Sequence, residues 1–336
     1  MVIHRTVARL LIALALLTMA IFAVAPASAQ EPINPTAQSV QEQQLLEALQ
    51  PGQAVNGRVS IPDRGAAQLI KPEGKSWSGF HNSTVFWSSA LIVLGMAALL
   101  VVFYLVRGRV RLEHGFAGRT ILRFNSFERF AHWMTATCFI LLALTGLNLI
   151  FGRYILVPLF GPESFAAATQ YGKLVHNYVA WPFMLGVALM FLLWVKDNIP
   201  GRTDIVWLKA GGGIFKKGEH PPAKRFNAGQ KIIFWSVVLG GAAISFTGVL
   251  LMFPQLLGDP TSWQLSQIVH ALIGAVMVAI ILGHIYIGTI GMEGAFDAMG
   301  SGEVDVNWAR EHHSLWAAEK SETSAAAPRG HVAPAE

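Results

Sequence analysis

Five apolar runs, at 85–106, 133–151, 179–195, 232–253 and 268–290, are each about 17 to 23 residues long, and that length decides most of what the chain can become. A helix of about 20 residues spans roughly 30 Å, the thickness of bilayer hydrocarbon. The chain has 336 residues, of which 53% are hydrophobic and only 13% charged, with a mean hydropathy of +0.46. That is too much apolar surface for a water-soluble domain, and an all-α integral membrane protein is predicted. The net charge of +5 is spread in short clusters between the runs and presents no basic face to nucleic acid. Cys138 is the one cysteine and lies within the second run, so no disulfide framework or thiolate-held zinc or iron–sulfur site can be built. Any metal must be held by His or carboxylate.

The N-terminus carries Arg5 and Arg9, then an apolar stretch over 10–24, then Ala27-Ser28-Ala29. Residues 1–29 read as a removable signal peptide, because the stretch is shorter than the roughly 20 residues of a span and ends in a small-x-small site. Residues 30–82 are rich in Gln, Pro and Gly, with helical character only over 40–49, and are expected to be a loosely structured external segment. Lys and Arg collect on the cytoplasmic side of membranes. Arg107, Arg109, Arg111, Arg119, Arg123 and Arg129 separate the first two runs; Lys196, Arg202, Lys209, Lys216, Lys217, Lys224, Arg225 and Lys231 separate the third and fourth. The second-to-third connection holds only Arg153 and Lys173, and 254–263 holds none. The expected topology is therefore a bacterial inner-membrane protein with a periplasmic mature N-terminus, five spans and a cytoplasmic tail over 293–336.

Ionisable side chains are costly in hydrocarbon, so histidines inside spans point to metal ligation or proton transfer. His132 and His284 fall near the cytoplasmic ends of their spans; His176 and His270 fall near the external ends. Depth thus sorts them into an outer pair, His176 with His270, and an inner pair, His132 with His284. His270 and His284 are 14 residues apart, which on a straight helix is about 21 Å of rise and only about 40° of rotation. One helix thereby presents ligands to two stacked sites on one face. Two imidazoles from neighbouring helices are what a low-spin b haem needs, with both axial positions filled for outer-sphere electron transfer. Zinc fits less well, since two imidazoles per level lack the further Cys, Asp or Glu that a tetrahedral site requires. Gly146, Gly172, Gly274, Gly283 and Gly288 lie near these positions and can let a macrocycle approach the backbone, although glycine is common in membrane helices for other reasons. His81, His114, His220 and His331 read as solvated, and His312-His313 as a solvated pair or a docking contact beyond the membrane.

Several short motifs then recur in a known order: Arg129-Phe130-Ala131-His132-Trp133, Gly172-Lys173-Leu174-Val175-His176, Asn198-Ile199-Pro200 with Asp204-Ile205-Val206-Trp207-Leu208, Asn227-Ala228-Gly229-Gln230-Lys231 with Phe234-Trp235, Ile268-Val269-His270, Gly283-His284-Ile285-Tyr286, and Trp308-Ala309 with His312-His313. Taken together over about 123–316, they resemble the cytochrome b (gamma) subunit of membrane-bound respiratory formate dehydrogenases. The resemblance implies a four-helix dihaem cytochrome b bundle over 123–292, here preceded by an additional N-terminal transmembrane helix over 83–107. It implies two b haems, held by His176 with His270 and by His132 with His284, the same pairing that depth gives. It also implies that Asn227, Gly229 and Gln230, near His284, shape the pocket of a quinone, either menaquinone or ubiquinone. Asn227 and Gln230 have the spacing of a capping box as well, and both roles can hold at once.

The partners implied are an iron–sulfur (beta) subunit and a molybdenum or tungsten catalytic (alpha) subunit that oxidises formate, since neither centre can be built here. Two other readings stay open from the residues. The same architecture serves other dehydrogenases or reductases, such as a hydrogenase or thiosulfate reductase, and a haem-free membrane scaffold for a soluble complex needs no ligands at all. A transporter is disfavoured, because the runs contain essentially no paired charges.

Overall fold

The computed structural model describes residues 72–213 and 218–326. The expected signal peptide and most of the expected external segment lie outside the described residues, as do Lys216 and Lys217. The described chain is almost entirely helical: α1 (Pro72–Phe80), α2 (Phe86–Arg107), α3 (Ser126–Trp194), α4 (Arg202–Lys209), α5 (Ala228–Met252), α6 (Pro260–Tyr286), α7 (Asp297–Gly300), α8 (Val306–His312) and α9 (Ser314–Ala326). Two short strands, β1 (Thr120–Leu122) and β2 (Glu303–Asp305), complete it. It divides into two compact units, residues 72–80 with Asn148–Gly172, and His81–Leu147 with 173–326.

Among the described residues, four helices are long and apolar enough to cross a membrane, and they carry all five apolar runs but for Val195 and Phe253 at two ends. The difference in number arises in α3, which carries the second and third runs and is helical throughout except at Gly161, whose φ of 82° and ψ of 166° reverse the chain. Only glycine adopts that backbone without strain, and Pro162 directly after it starts the next helical arm with a preset φ. Within 148–172, the Asn148 side-chain amide donates to Thr169 Oγ1 at 3.2 Å.

In the larger unit, the two arms of α3 run antiparallel. Phe139 meets Phe183 with ring centroids 6.1 Å apart, and Trp194 Nε1 donates to Glu128 Oε1 at 2.7 Å. α5 packs against α6, and Val187 of α3 comes within 3.2 Å of where a Cβ on Gly241 of α5 would be. Gly186 likewise faces Thr135 and Gly240 faces Met277, the small-against-large packing that lets membrane helices approach. The buried core follows these contacts through Phe139, Phe183, Val187, Met190, Phe234, Val237 and Met277. α2 packs along α6, with Phe103 and Tyr104 edge-on to Tyr286 at 6.1 and 6.5 Å, while Leu91, Leu105 and Val106 face outward.

Three helix starts are set by their own sequence. Asn125 with Glu128 and Asn227 with Gln230 form reciprocal capping boxes, and Asp259 caps α6 in front of Pro260. Both capping boxes lie at the end of the bundle where the C-terminal residues fold back. There β1 pairs antiparallel with β2, Thr120 opposite Asp305 and Leu122 opposite Glu303, and Val110 bridges to Met292. Glu311 accepts from the backbone N–H groups of Glu113 and His114, and Leu315 N–H donates to Ala223 O. Much of the expected tail is thus a folded cap on the bundle.

Candidate functional site

The structure brings His132 of α3 beside His284 of α6, with imidazole centroids 6.1 Å apart and ring planes at 66°. It brings His176 of α3 beside His270 of α6 at 6.2 Å and 64°. Among the described residues, no ring contact mixes the pairs. An imidazole nitrogen sits about 2 Å from a first-row metal ion, with the ring centre roughly 1 Å behind it, so two axial imidazoles on one iron place their centroids about 6 Å apart. Both pairs have that spacing. Among the described residues no group of three or more His, Cys, Asp or Glu is arranged to hold a metal ion, which leaves two nitrogens per site and fits a macrocycle that supplies the other four. A Cβ on Gly274, one turn from His270, or on Gly283, next to His284 in sequence, would meet nothing within 4 Å.

Sequence reasoning missed the residues that hold the outer pair. Thr145 Oγ1 lies 2.8 Å from His176 Nδ1, and Thr247 Oγ1 lies 3.0 Å from His270 Nδ1. Each hydroxyl donates back to its own helix, to Leu141 O at 2.8 Å and to Ala243 O at 2.9 Å. With its proton so used, each threonine oxygen accepts from the histidine Nδ1–H, which leaves the Nε2 lone pair for a metal. The next residue is glycine in both cases: a Cβ on Gly146 would sit 3.5 Å from His176 Cε1, and one on Gly248 only 3.2 Å from His270 Cε1. A Thr-Gly dipeptide in two different spans was the available signal. The inner pair is held differently. His132 Nδ1 is buried without a hydrogen-bond partner among the described residues, and the neighbouring Trp133 Nε1 donates to Met299 O in the cap at 2.9 Å.

Asn227, Gly229 and Gln230 are close together at the start of α5. Asn227 Oδ1 accepts from Gln230 N–H at 2.9 Å, and Gln230 Oε1 accepts from Asn227 N–H at 3.1 Å and from Arg123 Nη2 at 3.2 Å. Their carbonyl oxygens serve the capping box, so their amide NH2 groups are the donors left for a ligand. Gly229 gives room to Trp207, whose Cη2 would be 3.0 Å from an added Cβ. No hydrogen bond joins these residues to His284 among the described residues. On the adjacent face of α5, a groove of about 380 Å³ is lined by Pro200, Leu208, Ile232 and Trp235 beside the Lys231–Asp204 ion pair at 2.8 Å.

The cap departs from the expectation of a solvated or docking His312-His313 pair. His313 is wholly buried and its Nδ1 lies 2.7 Å from Lys224 O; burial, then the nearby Arg123, hold it well below the usual imidazole range. His312 is pushed down to about 4, chiefly by burial. Beside the pair lies Arg123, itself buried, which donates to Arg225 O at 2.7 Å and lies over Trp308 at 5.0 Å and Trp316 at 5.8 Å. Burial and Arg225 lower the Arg123 guanidinium to about 9, so it stays charged at neutral pH. Arg225 in turn pairs with Glu128 at 2.6 Å and Asp197 at 2.8 Å. His114 and His220 also have carboxylate neighbours, Glu311 and Glu113, rather than solvent alone.

An all-helical membrane bundle carrying two stacked imidazole pairs defines a membrane b-type cytochrome. Residues 123–302 match the model of the family described as prokaryotic cytochrome b561, and the chain belongs to that family. It is similar to the cytochrome b556(Fdn) subunit of the nitrate-inducible formate dehydrogenase of Escherichia coli (strain K12), with 30% identity over 203 residues, covering 59% of this chain and 90% of the relative. The cytochrome b556(fdo) subunit of formate dehydrogenase from the same organism is 29% identical over 209 residues, covering 61% of this chain and 95% of the relative. The formate dehydrogenase cytochrome b556 subunit of Haemophilus influenzae is 27% identical over 202 residues, covering 58% and 82%.

Proposed function

We propose that this chain is the dihaem cytochrome b anchor of a respiratory formate dehydrogenase, and that it carries electrons from an iron–sulfur subunit to quinone. The observation that supports this reading best is the matched 6.1 and 6.2 Å spacing of two imidazole pairs at two depths of one bundle. His176 with His270 and His132 with His284 each hold one b haem. When bound, a bis-imidazole haem supplies one-electron outer-sphere transfer with no open coordination position. The protein's part is to keep the imidazoles neutral, apposed and shielded from water.

Electrons enter at the outer pair and leave at the inner pair, where the Asn227 and Gln230 amides donate to a quinone carbonyl and Gly229 keeps that end of α5 narrow. Quinone reduction then takes protons from the cytoplasm at the capped end. Inward movement of one negative charge across the whole membrane is worth about 2.3 kcal/mol per 100 mV, so turnover sustains the membrane potential. Formate oxidation belongs to a partner subunit carrying molybdenum or tungsten. The names of the relatives support formate over hydrogen or a sulfur compound as the upstream reductant.

The test is to supply formate, hydrogen or thiosulfate to anaerobic membranes bearing the tagged chain with its neighbouring subunits, and to follow its b-haem absorbance. Reduction by formate alone is expected. Reduction by hydrogen with no response to formate would assign the chain to a hydrogenase.

A further inference from the structure

The two imidazole pairs have nearly the same ring geometry and different surroundings, and the difference has chemical consequences. At the outer level each imidazole has a hydroxyl oxygen at Nδ1, Thr145 for His176 and Thr247 for His270, at 2.8 and 3.0 Å. Each of those hydroxyls is committed as a donor to its own helix, so it can only accept. At the inner level His132 Nδ1 is buried with no partner among the described residues. Donation from Nδ1–H places extra electron density on the imidazole and makes Nε2 a more basic ligand, which favours the higher oxidation state of a bound metal. An imidazole with an unengaged N–H lacks that push.

We propose that Thr145 and Thr247 are a matched pair of positioning residues that fix the tautomer of His176 and His270 and make the outer site the lower in potential of the two. This rests on the assignment of the four histidines as haem ligands. Neither threonine touches the substrate or the metal; each acts through the imidazole it holds. The two sites thereby form a step that runs downhill from the outer level to the inner, in the direction from electron donor to quinone. Gly248 serves the same end at His270, since a Cβ there would sit 3.2 Å from the ring, while at Gly146 the corresponding 3.5 Å is an ordinary contact.

The experiment is an anaerobic potentiometric titration of the purified full-length chain, with haem content measured on the same samples. Wild type is compared with T145V, T247V, the double variant, and T145S and T247S, which keep the hydroxyl; H270A and H284A assign each redox wave to a level. The expected result is two waves, with the lower one lost in H270A. Each valine variant should move that wave upward, the double variant should move it further, and the serine variants should leave it near the wild-type position, with the higher wave unmoved throughout. Loss of the outer haem in the valine variants with retention in the serine variants supports the same role, whereas loss in both overturns it. The proposal is also overturned if the lower wave is the one lost in H284A, or if fully loaded valine variants titrate like wild type. Fewer than two haems in wild type would instead overturn the ligand assignment on which it rests.

Discussion

The outer and inner histidine pairs solve one packing problem by two means. At the outer level, two membrane helices each offer the same Thr-Gly dipeptide to an imidazole, so the site is held by local hydrogen bonds between spans. At the inner level, His132 makes no such bond at Nδ1 among the described residues, and the structure around it comes from a cap assembled from residues far apart in sequence. Arg123, Lys224, Trp308 and His313 meet there, and Trp133, next to His132, is tied to Met299. A site held between helices should be sensitive to a single methyl, and a site under a folded cap to whatever loosens the cap.

Acid is expected to separate the two levels most clearly. His312 and His313 are neutral in the folded cap because burial lowers their affinity for protons, His312 to about 4 against an ordinary value of 6.5. The unfolded segment takes up protons first, so the stability they contribute is present above about 6.5 and is lost as pH falls toward 4. The loss is on the order of 1 to 3 kcal/mol for His312, since one pKa unit is about 1.4 kcal/mol. Tryptophan emission and hydrogen exchange of 293–316 should show the cap opening over that window. The spectrum of the inner site should change before that of the outer, and simultaneous loss would break the distinction between them.

A smaller effect is expected from single methyls at the outer level. Gly248→Ala places a methyl 3.2 Å from His270 Cε1 and should cost about 1 to 3 kcal/mol by overpacking, with partial loss or distortion of the outer site. Gly146→Ala, at an ordinary 3.5 Å from His176 Cε1, should cost less than about 1 kcal/mol. Haem content and thermal melts of the two variants check this. Equal damage from both would show that the helices, not the ring contacts, set the tolerance.

What was legible in the sequence follows the range of the interactions. The spans were readable because hydrocarbon thickness acts on contiguous residues, and the apposition of the imidazoles because helical rise converts residue number into depth. The capping box at Asn227 and Gln230 was readable as a spacing, and it coexists with the ligand role proposed for the same amides. The continuation of α3 between its two runs was not, since Gly152, Pro158 and Gly172 are breaking residues there as well, and only Gly161 leaves helical geometry. Thr145 and Thr247 were hidden by their ordinary behaviour in membrane helices, bonding back to the preceding turn. The burial of His313 was out of reach, because it depends on Arg123 and Lys224, about 190 and 90 positions earlier, closing over it.

The two imidazole pairs are proposed to hold two b haems at separate levels of one chain. That assignment is tested most directly by a dithionite-reduced minus oxidised spectrum with haem quantification on the purified chain, wild type beside His270→Ala and His284→Ala. Two b haems per wild-type chain and one in each variant are expected, with a different spectral component missing from each. A wild-type chain that folds in the membrane, is supplied with haem and binds none would contradict that assignment and leave a haem-free scaffold as the better description.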